Sequence, residues 1–149
     1  MDDIDFRLLK ALQQNARASL KEIAARINLS IPATSERLRK LENSGVISGY
    51  SVILDSEKLG NYFHCFCFLT LDGHGSHRSD QFLEHILRQP EILECYRITG
   101  GHEYLVKIAT RSPKNLEEIL VRMRDEWGVV RTDTHTILSA LKTCHSVFP

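Results

Sequence analysis

Over the first third of the chain, apolar residues recur three and four apart, the spacing of one face of a helix. Ile4, Leu8, Leu9 and Leu12 form a first stripe. Asp2 is placed to cap that helix, with Asp5 three residues on, and both carboxylates favour a helix N-terminus. Leu20, Ile23, Ala24 and Ile27 form a second stripe. Its start is a capping box, in which the Ser19 hydroxyl takes one backbone donor and Glu22 reaches back to another. Asn28-Leu29 is a turn, and Ser30 caps a third helix. Pro32 falls in the first turn of that helix, which has no use for the missing N–H. Thr34, Leu38 and Leu41 share its inward stripe, and Gly45 stands where it must stop. The β-prone run VISGYSVILD leaves this unit as an extended spacer, followed by a turn at Lys58-Leu59-Gly60.

Beyond the spacer, strand and helix signals alternate. Tyr62–Leu71 is a strand with Phe66 and Phe68 on one side and Cys65, Cys67, Leu69 and Leu71 on the other. The Gly73–Ser76 loop leads to a helix over Ser79–Arg88, with Phe82, Leu83, Ile86 and Leu87 inward. Ile92–Thr99 and Tyr104–Thr110 are strands joined at Gly100-Gly101-His102. Ser112 caps a helix that starts at Pro113 and buries Leu116, Ile119, Leu120 and Met123. Val129–Leu141 is a long final strand. The order β-α-β-β-α-β is the ferredoxin-like split βαβ pattern. Two helices cover one face of such a sheet, yet the first strand is apolar on both faces. A second copy of the same sheet is the expected cover.

The stretch Ser19–Gly45 points to a function. Two short helices joined by a tight turn, the second with a basic outer face, place one helix in the major groove of DNA. On that helix Pro32, Ser35, Glu36 and Arg39 point outward, with Ala33 and Lys40 on a flank. Small residues near its start (Ser30, Ala33, Ser35) allow close approach to base edges. Arg37, Arg39 and Lys40 reach phosphates, or Arg39 forks onto a guanine, and Glu36 accepts from a cytosine amino group. Arg17 to Leu41 holds six basic residues against two acidic, whereas the whole chain has 19 of each and no net charge. A single copy would therefore bind DNA weakly by counterion release, and two copies on one duplex would help.

Composition narrows the rest. The 149 residues, 42% hydrophobic and 26% charged, are those of an ordinary globular chain with no apolar run fit to span a membrane. The acidic start MDDIDFRLLK lacks the layout of a signal peptide. Cys65, Cys67, Cys95 and Cys144 form no CxxC and sit in apolar stretches, so reduced thiols and a cytoplasmic location are expected. No metal site is expected. His74 and His77 lie close in a Gly-rich loop without a local Cys or acidic partner, and His64 points opposite to the Cys65 and Cys67 thiols on its strand. No P-loop or GxGxxG is present, and no cofactor is expected.

These segments together resemble the Lrp/AsnC transcription regulators, the feast/famine family, over nearly the whole chain. DDIDFRLLKALQQNARASLKEIAARINLS is similar to the family's first two helices, SIPATSERLRKLENSGVISGY to its recognition helix and exit strand, and GVVRTDTHTIL to its last strand. The resemblance implies an α+β chain. A winged helix-turn-helix domain over 1–49 and an extended linker strand over 50–61 would precede a ferredoxin-like effector-sensing and oligomerisation domain over 62–149. It also implies assembly beyond the dimer, often to octamers, and a free amino acid as effector, bound between dimers. The family's pocket uses the turn between the second and third strands of the sensing domain and the last strand of a neighbouring subunit. Here the turn is Thr99 to Tyr104, including His102. Gly100 and Gly101 allow close backbone approach and offer N–H groups to a carboxylate, and Glu103 can pair with an ammonium. Thr132, Thr134 and Thr136 share one strand face and can add hydroxyl contacts. Many family members carry Asp where Gly101 and Glu103 stand, which leaves the effector's identity open. Two other readings stand beside the regulator: a tetrapyrrole- or haem-handling enzyme on the same architecture, and a metabolite sensor that does not bind DNA.

Overall fold

The computed structural model describes residues 1–61, 63–73 and 76–143, those at 76 and 77 by their backbone alone. Tyr62, the loop residues His74 and Gly75, the side chain of His77, and Cys144 lie outside the described residues. The chain divides into two compact units, one over Met1–Ile53 and one over Leu54–Thr143.

The first unit holds three helices: α1 (Asp3–Gln14), α2 (Leu20–Ile27) and α3 (Ile31–Asn43). Their starts are set by side chains that take up the orphaned N–H groups of a first helical turn. Asp2 and Asp5 form a reciprocal capping box on α1, as Ser19 and Glu22 do on α2. The Ser30 hydroxyl accepts from the Ala33 N–H at 3.4 Å. Between α2 and α3, Asn28 adopts the left-handed conformation (φ 56°), which an Asn tolerates and which turns the chain sharply. The helices close on Leu8, Ala11, Leu12, Ile23, Ile27 and Leu41, with Leu38 and Ile47 at the margin. Thr34 is fully buried, and its hydroxyl donates to the Ser30 carbonyl at 2.9 Å. Gly45 (φ 75°) ends α3, and the Ile47 N–H donates back to the Leu41 carbonyl. Residues 46–55 form no strand, because an extended segment needs a neighbour to pair with and no other segment among the described residues supplies one there. Val52 and Ile53 are about four-fifths exposed, at 79% and 84%.

The second unit opens with a turn over 56–60. It continues as β1 (Phe63–Leu71), α4 (Ser76–Arg88), β2 (Ile92–Arg97), β3 (Tyr104–Thr110), α5 (Pro113–Asp125) and β4 (Val129–Thr136). The strands form one antiparallel sheet in the order β2-β3-β1-β4. The two central strands put Cys65, Cys67 and Leu69 opposite Ile108, Val106 and Tyr104. Together these six make the floor of the core, and Phe82, Ile86, Leu116, Ile119 and Met123 cover them from the helices. Phe66 and Phe68 face the other side, away from α4 and α5.

Three expectations shift. The last strand stops at Thr136, five residues short of Leu141. Its partner β1 starts at Phe63, so after the Cys65–Thr136 pair there remains only the bond from the Ile137 N–H to the His64 carbonyl. The strand expected over Ile92–Thr99 stops at Arg97, because Ile98 closes the following turn. On α4, Phe82 and Ile86 are buried, but Leu83 and Leu87 are 40% and 85% exposed. They lie about 100° around the helix from the buried pair, beyond the sheet's reach.

Candidate nucleic-acid interface and effector turn

The outward face of α3 carries most of the expected groove-reading side chains. Ser30, Pro32, Ser35, Glu36, Arg39 and Lys40 are exposed, and Ala33 is half-buried at the flank. Glu36 and Lys40 form an i,i+4 ion pair at 3.0 Å with both side chains well exposed. Lys40, by hydrogen bond and by charge, holds the Glu36 carboxyl below its ordinary range. Such a surface pair opens readily, so both groups stay available to a polyanion.

Arg37 is placed differently. Its Nη1 lies 2.7 Å from Asp2 Oδ2 and 2.8 Å from Asp5 Oδ1, both at the head of α1. The expectation that it reaches a phosphate has to be set against this engagement. The Asp2 carboxyl is held down, first by the backbone N–H of Asp5 and next by Arg37. The Arg37 guanidinium is held further protonated by Asp5 and then Asp2. The sequence offered a signal, since Asp2 and Asp5 stand three apart at the start of a helix, but that spacing reads as a cap and says nothing of a cation on a distant helix.

In the second unit, the β2–β3 turn is tied to β1. The Ile98 N–H donates to the Glu103 carbonyl at 2.9 Å, and the Glu103 N–H donates to the Leu69 carbonyl at 3.0 Å. Strand β1 runs two residues past the Leu69–Tyr104 pair, the last of its register with β3. There the Glu103 carboxylate accepts from the Leu71 N–H at 3.2 Å. His102 turns onto the uncovered sheet face, with Nδ1 3.2 Å from Thr70 Oγ1 and its ring 5.7 Å from Phe68. Gly100 has φ +119°, a conformation L side chains rarely adopt, and a Cβ at either Gly100 or Gly101 would meet nothing within 4 Å. The turn therefore has open space beside its backbone.

The expected threonines do not join this group within one chain. Thr136, Thr134 and Thr132 pair with Cys65, Cys67 and Leu69, on the helix-covered side of the sheet. Thr134 Oγ1 is 3.1 Å from Cys67 Sγ. The β4 residues on the His102 side are Arg131, Asp133 and His135, opposite Thr70, Phe68 and Phe66; the His135 ring packs edge-on against Phe68 at 5.7 Å and its Nε2 is 3.3 Å from Asp133. Period-two alternation places His135 opposite the threonines, but the contact with Phe68 depends on strand order, which spacing alone does not give. Among the described residues, no group of three or more His, Cys, Asp or Glu side chains is placed to hold a metal ion.

Sequence comparison gives these two sites their setting. The model for a winged helix-turn-helix DNA-binding domain matches residues 1–48, and that for the Lrp/AsnC ligand binding domain matches residues 64–147. The chain belongs to the Lrp/AsnC family of transcriptional regulators. Among its relatives is the HTH-type transcriptional regulator LrpA of Mycobacterium tuberculosis, 36% identical over 140 residues, which are 93% of this chain and 91% of that protein. The solved structure of Bacillus subtilis LrpC superposes with a TM-score of 0.87 at 32% identity, covering 97% of this chain and 99% of the other. The transcriptional regulator NMB0573 of Neisseria meningitidis, solved as an L-Met complex, shares the fold with a TM-score of 0.93 at 24% identity, covering 99% and 96% of the two chains. This Lrp/AsnC chain is accordingly a transcriptional regulator rather than an enzyme.

Proposed function

We propose that this regulator reads DNA with the outward face of α3 and that its affinity or assembly responds to an amino acid held at the Thr99–Tyr104 turn. The carrying observation is the exposed row Ser30, Pro32, Ser35, Glu36, Arg39 and Lys40 on a helix fixed at both ends. Small residues at the head of the row admit the backbone to the groove, and Arg39 fits a guanine edge or a phosphate. For the effector, the support is the space beside Gly100 and Gly101, the nearby Glu103 carboxylate, and the L-Met held by the Neisseria relative.

Two copies are part of the proposal. The uncovered sheet face presents Phe66 and Tyr96, 36% and 50% exposed, beside the half-buried Phe68 and Leu105. An apolar sheet face of this kind is stable when covered, and a second copy supplies the same apolar partners in return. The β4 threonines then contribute from a neighbouring subunit where dimers meet, in an assembly such as an octamer. The cytoplasm, where DNA and free amino acids are both at hand, is the proposed location. Effector bound between dimers changes half-site spacing or assembly, and by linkage DNA binding changes effector affinity equally.

The test is titration of single amino acids against the full chain, followed by calorimetry and by sedimentation. Saturable heat with one amino acid, accompanied by a shift in assembly or DNA affinity, is the expected result. A chain that sediments as a monomer at every concentration and takes up no amino acid would remove both the effector site and the paired sheets.

A further inference from the structure

We infer that Arg37 is the positioning residue of the reading helix rather than one of its phosphate contacts, and that the head of α1 is its anchor. The inference rests on the DNA-reading role proposed for α3. The geometry divides each carboxylate between two tasks. Asp2 uses Oδ1 to accept the N–H groups of Ile4 and Asp5, each at 2.9 Å, and Oδ2 to hold Arg37. Asp5 uses Oδ2 to accept the Asp2 N–H at 3.0 Å and Oδ1 to hold the same guanidinium nitrogen. The capping box that starts α1 is therefore also the clamp on α3, more than thirty residues away in sequence.

The clamp has consequences for charge and for position. A guanidinium held by two carboxylates presents no net positive charge to a phosphate. Moving it to DNA would strand Asp5, whose side chain is only 15% exposed, without its cation. Arg37 is two residues from Arg39 and one turn from Ala33, so its anchor fixes the rotation of the outward face. Thr34 and Leu41 hold α3 from the buried side; Arg37 holds its flank. A slip there misaligns base contacts while leaving the basic charge of the helix in place.

The test compares Arg37→Ala and Asp5→Asn with the parent, as full chains at a temperature where all are folded. Binding is measured on a selected duplex and a scrambled one across a salt series. Both variants are expected to lose roughly tenfold in preference for the selected duplex, Arg37→Ala at an unchanged slope of log affinity against log salt. Loss of preference in Asp5→Asn is the sharper arm, because if Arg37 is a phosphate contact, removing a negative charge tightens binding to every duplex alike and leaves preference unchanged. Unchanged preference in Asp5→Asn, or a slope reduced by about one in Arg37→Ala, would overturn the inference. Hydrogen exchange without DNA separates this from the DNA reading itself. Faster exchange over 31–43 in Asp5→Asn supports the anchor even if no duplex is bound, and unchanged exchange there refutes it. If Arg37→Ala fails to fold, Asp5→Asn, which keeps an acceptor in the cap, carries both measurements.

Discussion

Glu103 is asked to do two things, and substitution separates them. One carboxylate oxygen accepts the Leu71 N–H at 3.2 Å, where β1 has outrun β3. An ionised carboxylate has about four acceptor sites, so the same group can also face an effector ammonium. Glu103→Gln keeps a carbonyl acceptor for Leu71 but removes the charge. Glu103→Ala removes both and leaves a half-buried N–H without its acceptor. A lost bond of that kind costs about 1–3 kcal/mol when fully buried, and the half-exposed position of Glu103 brings this to about 1–2 kcal/mol. For a domain the size of the sensing unit, that is a fall in Tm of about 4–15 °C. Differential scanning calorimetry, with and without the amino acid that the parent binds, reads both effects. Glu103→Gln is expected to melt within about 5 °C of the parent but to lose ligand stabilisation, and Glu103→Ala to lose both. A Glu103→Ala variant that melts with the parent would refute the structural role. A Glu103→Gln variant that binds the amino acid as the parent does would refute the ammonium contact.

Gly101→Val should leave the fold intact and abolish effector response, because its backbone needs no positive φ and the added side chain enters open space; the same change at Gly100 should also lower Tm. An unchanged response in Gly101→Val, followed by calorimetry, would place the effector elsewhere. Arg39→Ala should relax base preference at one position by about 1–3 kcal/mol, while Lys40→Ala should weaken all duplexes alike and flatten the salt slope, both read by competition binding. Burial, aided by the neighbouring Cys67, pushes the Cys65 thiol up to about 11 from 9.0. Its folded pKa lies above the unfolded one, so this contribution to stability is fully present below pH 9 and is lost as pH rises toward 11. Cys65 should accordingly resist alkylation at pH 8 in the folded chain and react on unfolding, as peptide mass spectrometry would show; rapid native labelling would contradict its burial.

Much of the fold was legible because local rules agreed with the global one. The caps at Asp2 and Ser19, the turn at Asn28-Leu29 and the alternation of Cys65, Phe66, Cys67 and Phe68 are each written in a few adjacent residues. What spacing does not encode is which distant element completes a contact. Leu83 and Leu87 fit a helical stripe as well as Phe82 and Ile86 do, and only the width of the sheet decides which pair is buried. The reading helix was legible as a face, whereas the engagement of Arg37 with α1 required tertiary geometry. The β2–β3 turn was legible from its glycines. The side chains beside it on β4 were not, because strand pairing sets Arg131 and Asp133 opposite Thr70 and Phe68 and packs His135 on Phe68, with the threonines on the other face.

Selection of the full chain on a random duplex library at two salt concentrations, with its assembly state measured in the same buffer, bears on the whole account. Enrichment of a two-fold-symmetric site by a dimer or larger assembly, with affinity that falls steeply with salt, is the predicted result. No enrichment, and no salt-dependent binding to any duplex, would contradict the assignment of α3 as a DNA-reading helix.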